Sequence, residues 1–336
     1  MTIRTSRTLR GMGARHRTAI TIVGSLLAAA ALVVVLRGHR AEFATALASC
    51  SVWILLVAMA LQIMALVARS EAWHGCVEAA GGMVPRRVLY RASSMGAVGT
   101  LVNAQLGVAS RIAALRASAP ADAPCASTLV AAEFPIVAVE AMLAALTSFT
   151  LVGPLGLPWW LPILAFVVVA ALSTGLRHLA LRTGRQLWQG LAVLHSARGG
   201  RRLVAFVLVA VAAQISRNWL LLHAVGVDAS FFDAIAVLIA MVTFSQLPAG
   251  PSVGAAAAVL ILGREGVAAV AAAGVLSTAT GVAGGLCFAG WAGADRLWAG
   301  RARASRRRAA GRKGLRAAET SGLPGAMPVS PDPLKP

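Results

Sequence analysis

Two stretches of this 336-residue chain decide its architecture: Gly96-Ala-Val-Gly99-Thr-Leu-Val-Asn103-Ala-Gln105-Leu-Gly107 and Gln246-Leu-Pro248-Ala-Gly250-Pro251-Ser-Val-Gly254. Both lie in runs apolar enough for a membrane, and both are interrupted by residues that stop helices. Non-helical backbone at membrane depth survives only where protein buries it or it lines a wet cavity. Each stretch is therefore expected to be a re-entrant hairpin: a helix in, a break, and a short helix back. The breaks fall at Gly99 and Gly107 in the first, and at Pro248, Gly250, Pro251 and Gly254 in the second.

The rest of the chain supplies the membrane. It is 58% hydrophobic and 13% charged, with a mean hydropathy of +0.76, whereas soluble domains average about 25% charged residues. A single soluble globule is excluded, and so is disorder over most of the length. The formal charge of +19 comes from 31 Lys and Arg, clustered between the apolar runs. Five arginines precede residue 18, six lie in 177–202, and ten Lys or Arg follow residue 291. That is the distribution of cytoplasmic loops under the positive-inside rule, so no nucleic-acid partner is expected. The four cysteines are scattered without metal-ligand spacing, and no His-x-x-x-His occurs; no metal and no cofactor are expected.

Spans are expected at 18–36, 52–68, 127–152, 158–176, 203–225 and 266–291. The first apolar run has 19 residues, longer than the roughly 7–15 of a cleaved signal, so it reads as an uncleaved helix behind a basic cytoplasmic N-terminus, 1–17. The uncharged turn Gly153-Pro-Leu-Gly-Leu-Pro158, followed by Trp159-Trp160, belongs outside. The segment 177–202 belongs inside, with Leu176, Ala180, Leu187, Leu191 and Leu194 spaced as an amphipathic helix on the inner leaflet; an ordinary solvated loop helix is the alternative. Parity then orders the remainder. Span 52–68 ends inside at Arg69 and span 127–152 begins inside, so the apolar stretch between them enters and leaves on one side. By the same count, 234–263 enters and leaves on the outer side. The expected fold is an all-α polytopic membrane helix bundle of about six full spans plus two re-entrant hairpins of opposite sense, an inverted repeat within a membrane domain of 18–292. A shift of 147 residues aligns the halves with no more identities than chance. Both termini are expected in the cytoplasm at the cell's inner (plasma) membrane, with 293–336 a basic disordered tail touching anionic inner-leaflet phospholipid.

A charge at the bilayer centre costs about 2.5–3.5 kcal/mol on insertion scales, so ionisable groups inside the spans are the candidate site. Glu133 and Glu140 are seven apart in one span, nearly on one helix face; Arg217 and Asn218 lie inside 203–225, and Arg111 follows the first break. Together with Asn103 they describe a cavity for a lipid headgroup, the arginines meeting phosphate and the carboxylates holding the arginines or an ammonium group. The alternatives are a buried Glu–Arg pair that only fixes helix packing, an interfacial Glu133, and amides that satisfy backbone freed at the breaks. Gly281-Val-Ala-Gly284-Gly285 reads as a small-residue packing face.

These residues carry a family resemblance. Asn103, Gly107 and Arg111 resemble the Asn–small–Gly–Arg element in the transmembrane region of lysylphosphatidylglycerol synthetases and their stand-alone, flippase-like relatives. Glu133 matches half of that family's Glu-Arg pair, with Phe134 at the arginine. Pro248, Gly250 and Gly254 match its Pro–Gly–Gly–Glu element, with Ala257 at the acid. The bifunctional synthetases carry a soluble aminoacyl-transferase domain after this region; about 45 residues follow residue 291 here, so lipid aminoacylation by this chain alone is not expected. The resemblance implies a protein that translocates or binds a lipid or lipid-linked substrate. The alternative is an accessory membrane subunit, or an intramembrane enzyme, in lipid or glycan modification, working with a soluble transferase partner.

Overall fold

The computed structural model describes residues 37–101, 104–119, 124–183, 193, 196–245, 253–262 and 266–320; the expected first span, Asn103, Gln246, Pro248, Gly250 and Pro251 lie outside them. Among the described residues every regular element is helical. In chain order they are α1 (Arg40–Ala48), α2 (Val52–Ala79), α3 (Arg86–Thr100), α4 (Ala104–Ser118), α5 (Ala126–Ala131), α6 (Phe134–Thr147), a 3-10 turn (Ser148–Leu151), α7 (Val152–Leu155), α8 (Trp160–Thr183), α9 (Ala197–Ala224), α10 (Phe231–Ser245), α11 (Val253–Leu262) and α12 (Val267–Thr320). The chain divides into two compact units, Met1–Ala289 and Gly290–Pro336.

Four stretches are long and apolar enough to cross a membrane: Val52–Ala79, Ala126–Leu155, Ala197–Ala224 and Val267–Ala299. Two apolar helical stretches are shorter, Trp160–Gly175 and Phe231–Thr243. The second expected span does not stop at Arg69 but runs on to Ala79, because the arginine is paired within the protein and Ala72, Trp73, Cys76 and Val77 beyond it are buried. The span expected at 127–152 is interrupted at Ala132 and Glu133, just before Pro135, whose missing N–H and ring are incompatible with an unbroken helix there. Helix α7 then takes in part of the expected apolar turn, which closes at Gly156 in the left-handed region (φ 62°).

The segment 177–202 is not a separate surface helix from end to end. Its first seven residues continue α8, and its last six begin α9, which Ser196 caps by accepting the Gly199 N–H at 2.8 Å; 184–192 lie outside the described residues. The tail expected to be disordered is helical as far as Thr320, consistent with a sequence dominated by Ala and Arg, both strong helix formers. The acidic stretch at 228–233 ends in a capping box. Ser230 N–H donates to Asp233 Oδ2 at 2.9 Å and Asp233 N–H to Ser230 Oγ at 3.2 Å.

Helices α3 and α4 form an antiparallel pair, and α3 ends at Thr100 with Leu101 as its C-cap. Gly99 and Gly107, expected to break the helix, instead lie inside α3 and α4. A Cβ on Gly99 would stand 2.8 Å from the Leu106 carbonyl oxygen, and one on Gly107 would stand 3.0 Å from that of Gly96. They are contact residues that let the two backbones touch, and Ser110 Oγ ties the pair by donating to the Met95 carbonyl at 3.0 Å. Helices α10 and α11 pack on each other in the second half, and Gly254 lies in the first turn of α11 rather than in the break. Each pair sits in its own hydrophobic core: Trp73, Leu89, Leu115, Leu129 and Ile136 around the first, Val237, Ala258, Ile261, Val270 and Ala273 around the second. A seam of Ala65, Ala68, Ala210 and Ala213 joins α2 to α9.

The element lengths repeat. Helices α2 and α9 each have 28 residues and α3 and α10 each have 15, and each later helix begins 145 residues after its counterpart. Substituting Val for Gly107 forces the α3–α4 backbones apart and is expected to destabilise the detergent-solubilised protein by about 1–3 kcal/mol, read as a lowered midpoint of thermal unfolding. Gly285→Ala, with no heavy atom within 4 Å of the new methyl, is expected to leave the midpoint unchanged or raised.

Candidate functional site

Helix α2 is the ruler along which the interior polar groups are ordered. Gln62, Arg69 and Trp73 are spaced seven and four residues apart, so they share one stripe of the helix. Each meets a different group. Trp73 lies under the Arg111 guanidinium, 4.3 Å from ring centroid to Cζ, a cation–π contact, and Arg111 is ion-paired with Glu133. Arg111 and Glu133 are each 7% exposed. Arg69 forms an ion pair with Glu140, Nη1 to Oε1 at 3.0 Å, in a half-buried setting. These two ion pairs, one buried and one half-buried, make up the first polar cluster along α2.

Gln62 meets a second cluster. Its Oε1 accepts from Arg217 Nη1, while Arg217 Nη2 donates to Ser277 Oγ at 3.1 Å. Ser277 Oγ in turn donates to Asn218 Oδ1 at 2.9 Å. The face at 281–285 makes this contact possible: a Cβ on Gly284 would come within 2.8 Å of Gln62, and one on Gly281 would stand 3.5 Å from Arg217 Nη1. Gln62 and Trp73 are eleven residues apart, about 16 Å of helical rise, so the polar groups are distributed along the bundle rather than gathered in one place.

The expected single cavity is therefore two clusters. Arg111 and Glu133 do come together, but Glu140, seven residues further along, pairs with Arg69 of α2 instead. Arg217 and Asn218 form their own network, away from Arg111. Four contributors do not stand out in the sequence: Arg69, Trp73, Gln62 and Ser277. A lone arginine after an apolar run ordinarily marks a membrane boundary, which hides Arg69; the spacing 62, 69, 73 is the signal that it belongs to an interior stripe.

A family model described as lysylphosphatidylglycerol synthase TM region matches residues 21–291. The chain belongs to that family. No curated protein matches it. The match spans both polar clusters and all four long apolar stretches up to Trp291, and it makes this family member a multi-pass membrane protein. Phe134, where the resemblance implies an arginine, opens α6, and Ala257, where it implies an acid, lies on α11.

Outside the spans, Cys125 precedes α5 and is exposed. Its Sγ lies 3.0 Å from Ser127 Oγ and 2.9 Å from Thr128 Oγ1, and hydroxyl hydrogen bonds to the thiolate lower its pKa from 9.0 to about 7. The thiolate is therefore half-populated near neutrality, and reactivity rises through that pH instead of two units higher. With Cys125 as the sole cysteine, maleimide labelling is expected to reach half its limiting rate near pH 7, and Ser127→Ala is expected to move that midpoint upward. Within the spans, Glu133→Gln or Arg111→Gln leaves one buried charge unpartnered and is expected to cost about 3–5 kcal/mol. Arg111→Met combined with Glu133→Leu is expected to cost well below the sum of the two single losses, as measured by unfolding in detergent.

Proposed function

We propose that this protein receives the headgroup of a lipid or lipid-linked molecule inside the bilayer and carries it between leaflets. The observation that carries this reading is the stripe on α2, where guanidinium, carboxylate, amide and hydroxyl groups follow one another for about 16 Å within helices whose other faces are apolar. Intramembrane ionisable groups facing a bundle interior mark substrate or ion pathways by default, and a spaced series gives a polar headgroup successive partners while its acyl chains stay in lipid.

The helix lengths support the same reading. Helices α3 and α4, at 15 residues each, measure about 22 Å against about 30 Å of hydrocarbon. A pair of that length dips in and returns, and the 145-residue repeat supplies a counterpart in α10 and α11. In this reading the two pairs are re-entrant hairpins from opposite leaflets, Arg111, Glu133, Glu140, Arg217 and Asn218 line the path together with Asn103, and the basic tail rests on anionic phospholipid at the cytoplasmic face of the plasma membrane, where both termini lie.

Reconstitution into vesicles carrying fluorophore-labelled phospholipid tests it. A membrane-impermeant reductant bleaches only the outer leaflet of protein-free vesicles, about half of the signal; proteoliposomes are expected to lose nearly all of it on the timescale of minutes. Bleaching that stops at the protein-free level for every bacterial phospholipid tried rejects the proposal.

A further inference from the structure

The two polar clusters differ in one respect that bears on what the protein binds. The first closes electrically: Arg111 on Glu133 and Arg69 on Glu140. The second does not. Arg217 is 8% exposed, and its hydrogen-bond partners, Gln62 and Ser277, are neutral. Among the described residues no carboxylate forms an ion pair with it. The only carboxylates within the four long apolar stretches up to Ala289, other than Glu71 and Glu78 at the far end of α2, are Glu133 and Glu140, and both are committed elsewhere.

Two more donors beside it lack a partner. Arg217 Nε and Asn218 Nδ2 are buried without a hydrogen bond, although Asn218 is only 3% exposed. Buried donors of this kind are ordinarily satisfied. Asn218 and Ser277 border a cavity of about 10 Å³ closed by Val237 and Met241 of α10 and Ala258 of α11, space on the scale of one water. On the adjoining face of α2 and α9, one residue from Gln62 and Arg217 on each helix, Leu61, Ser216, Trp219, Leu220 and Phe231 line an open, mainly apolar groove of about 460 Å³.

We infer that Arg217 is the seat of a lipid phosphate: a phospholipid whose phosphate accepts from the Arg217 guanidinium and the Asn218 amide, with an acyl chain along the Leu61–Trp219–Phe231 groove. An uncompensated guanidinium with spare N–H donors fits a phosphate oxygen pair by charge and by geometry. Arg111, stacked on Trp73 and neutralised by Glu133, offers no free charge. The inference rests on the lipid-binding reading above and narrows it to one arginine and to ligands carrying a phosphate. Occupation requires α10 and α11 to move off Asn218, since the cavity they close is far smaller than a phosphate group.

Equilibrium binding tests this separately from transport. The full-length protein in a nonionic detergent is titrated with short-chain phosphatidic acid, with diacylglycerol of the same chains, and with glycerol 3-phosphate, following the thermal midpoint and intrinsic fluorescence. Phosphatidic acid is expected to bind at least tenfold tighter than diacylglycerol, glycerol 3-phosphate is expected not to compete, and Arg217→Gln is expected to remove the preference while Arg217→Lys keeps part of it. Equal binding of phosphatidic acid and diacylglycerol by the wild-type protein overturns the inference, a result that stands even if Arg217→Gln does not fold. An undiminished preference in folded Arg217→Gln also overturns it, and full competition by glycerol 3-phosphate overturns the lipid as the source of the phosphate. A protein that shows the preference yet moves no lipid refutes the transport reading alone; one that moves lipid without the preference refutes this inference alone.

Discussion

A guanidinium in hydrocarbon has to find its counter-charge inside the protein, and most of the bundle's interior can be understood from that requirement. Arg111 and Glu133 come from different helices and are both buried. Leaving either alone is far more costly than never having placed it there, so the pair commits α4 and the start of α6 to one relative position. Trp73 fixes the plane of the guanidinium from below. Arg69 and Glu140 repeat the arrangement between α2 and α6 with more exposure. These contacts tie the first hydrophobic core to α2, and α2 in turn is welded to α9 by alanines small enough to bring two helices close.

Much of this is legible in the residues. Class, membrane location and the spans near 127–152, 203–225 and 266–291 follow from apolar runs alone, because hydrocarbon permits little besides helices there. That Arg111, Glu133 and Arg217 are buried and hydrogen-bonded within the protein follows as well, since a charge in such a run is too costly to be kept without a partner or a task. What the residues do not disclose is pairing. Glu133 and Glu140 share a face on an ideal helix, yet each pairs with a different arginine. Arg69 looks like the end of a span until Glu140 is seen to face it. Pairing is a long-range property, and a single sequence carries no local trace of it.

Glycine poses the opposite problem. Gly99, Gly107 and Gly254 read as helix breakers because glycine is a poor helix former, yet all three lie within helices. At Gly99 and Gly107 the missing side chain serves tertiary contact: neighbouring backbone occupies the space a Cβ would take. Composition cannot separate a glycine that ends a helix from one that admits a partner. Helix lengths show a regularity that residue identities do not: α2 and α9 are equal in length, as are α3 and α10.

The contact between α3 and α4 has a mechanical consequence. Where carbonyl oxygens of one helix lie against the α-carbons of the next, there are no long side chains to slide or re-seat, and interfaces of that kind resist shear. The pair therefore behaves as a stiff wedge. Any displacement of the first half has to be taken up where the wedge is anchored, at the turn after Ala79 with Gly81 in its left-handed conformation (φ 87°), while the wedge itself travels as a solid piece.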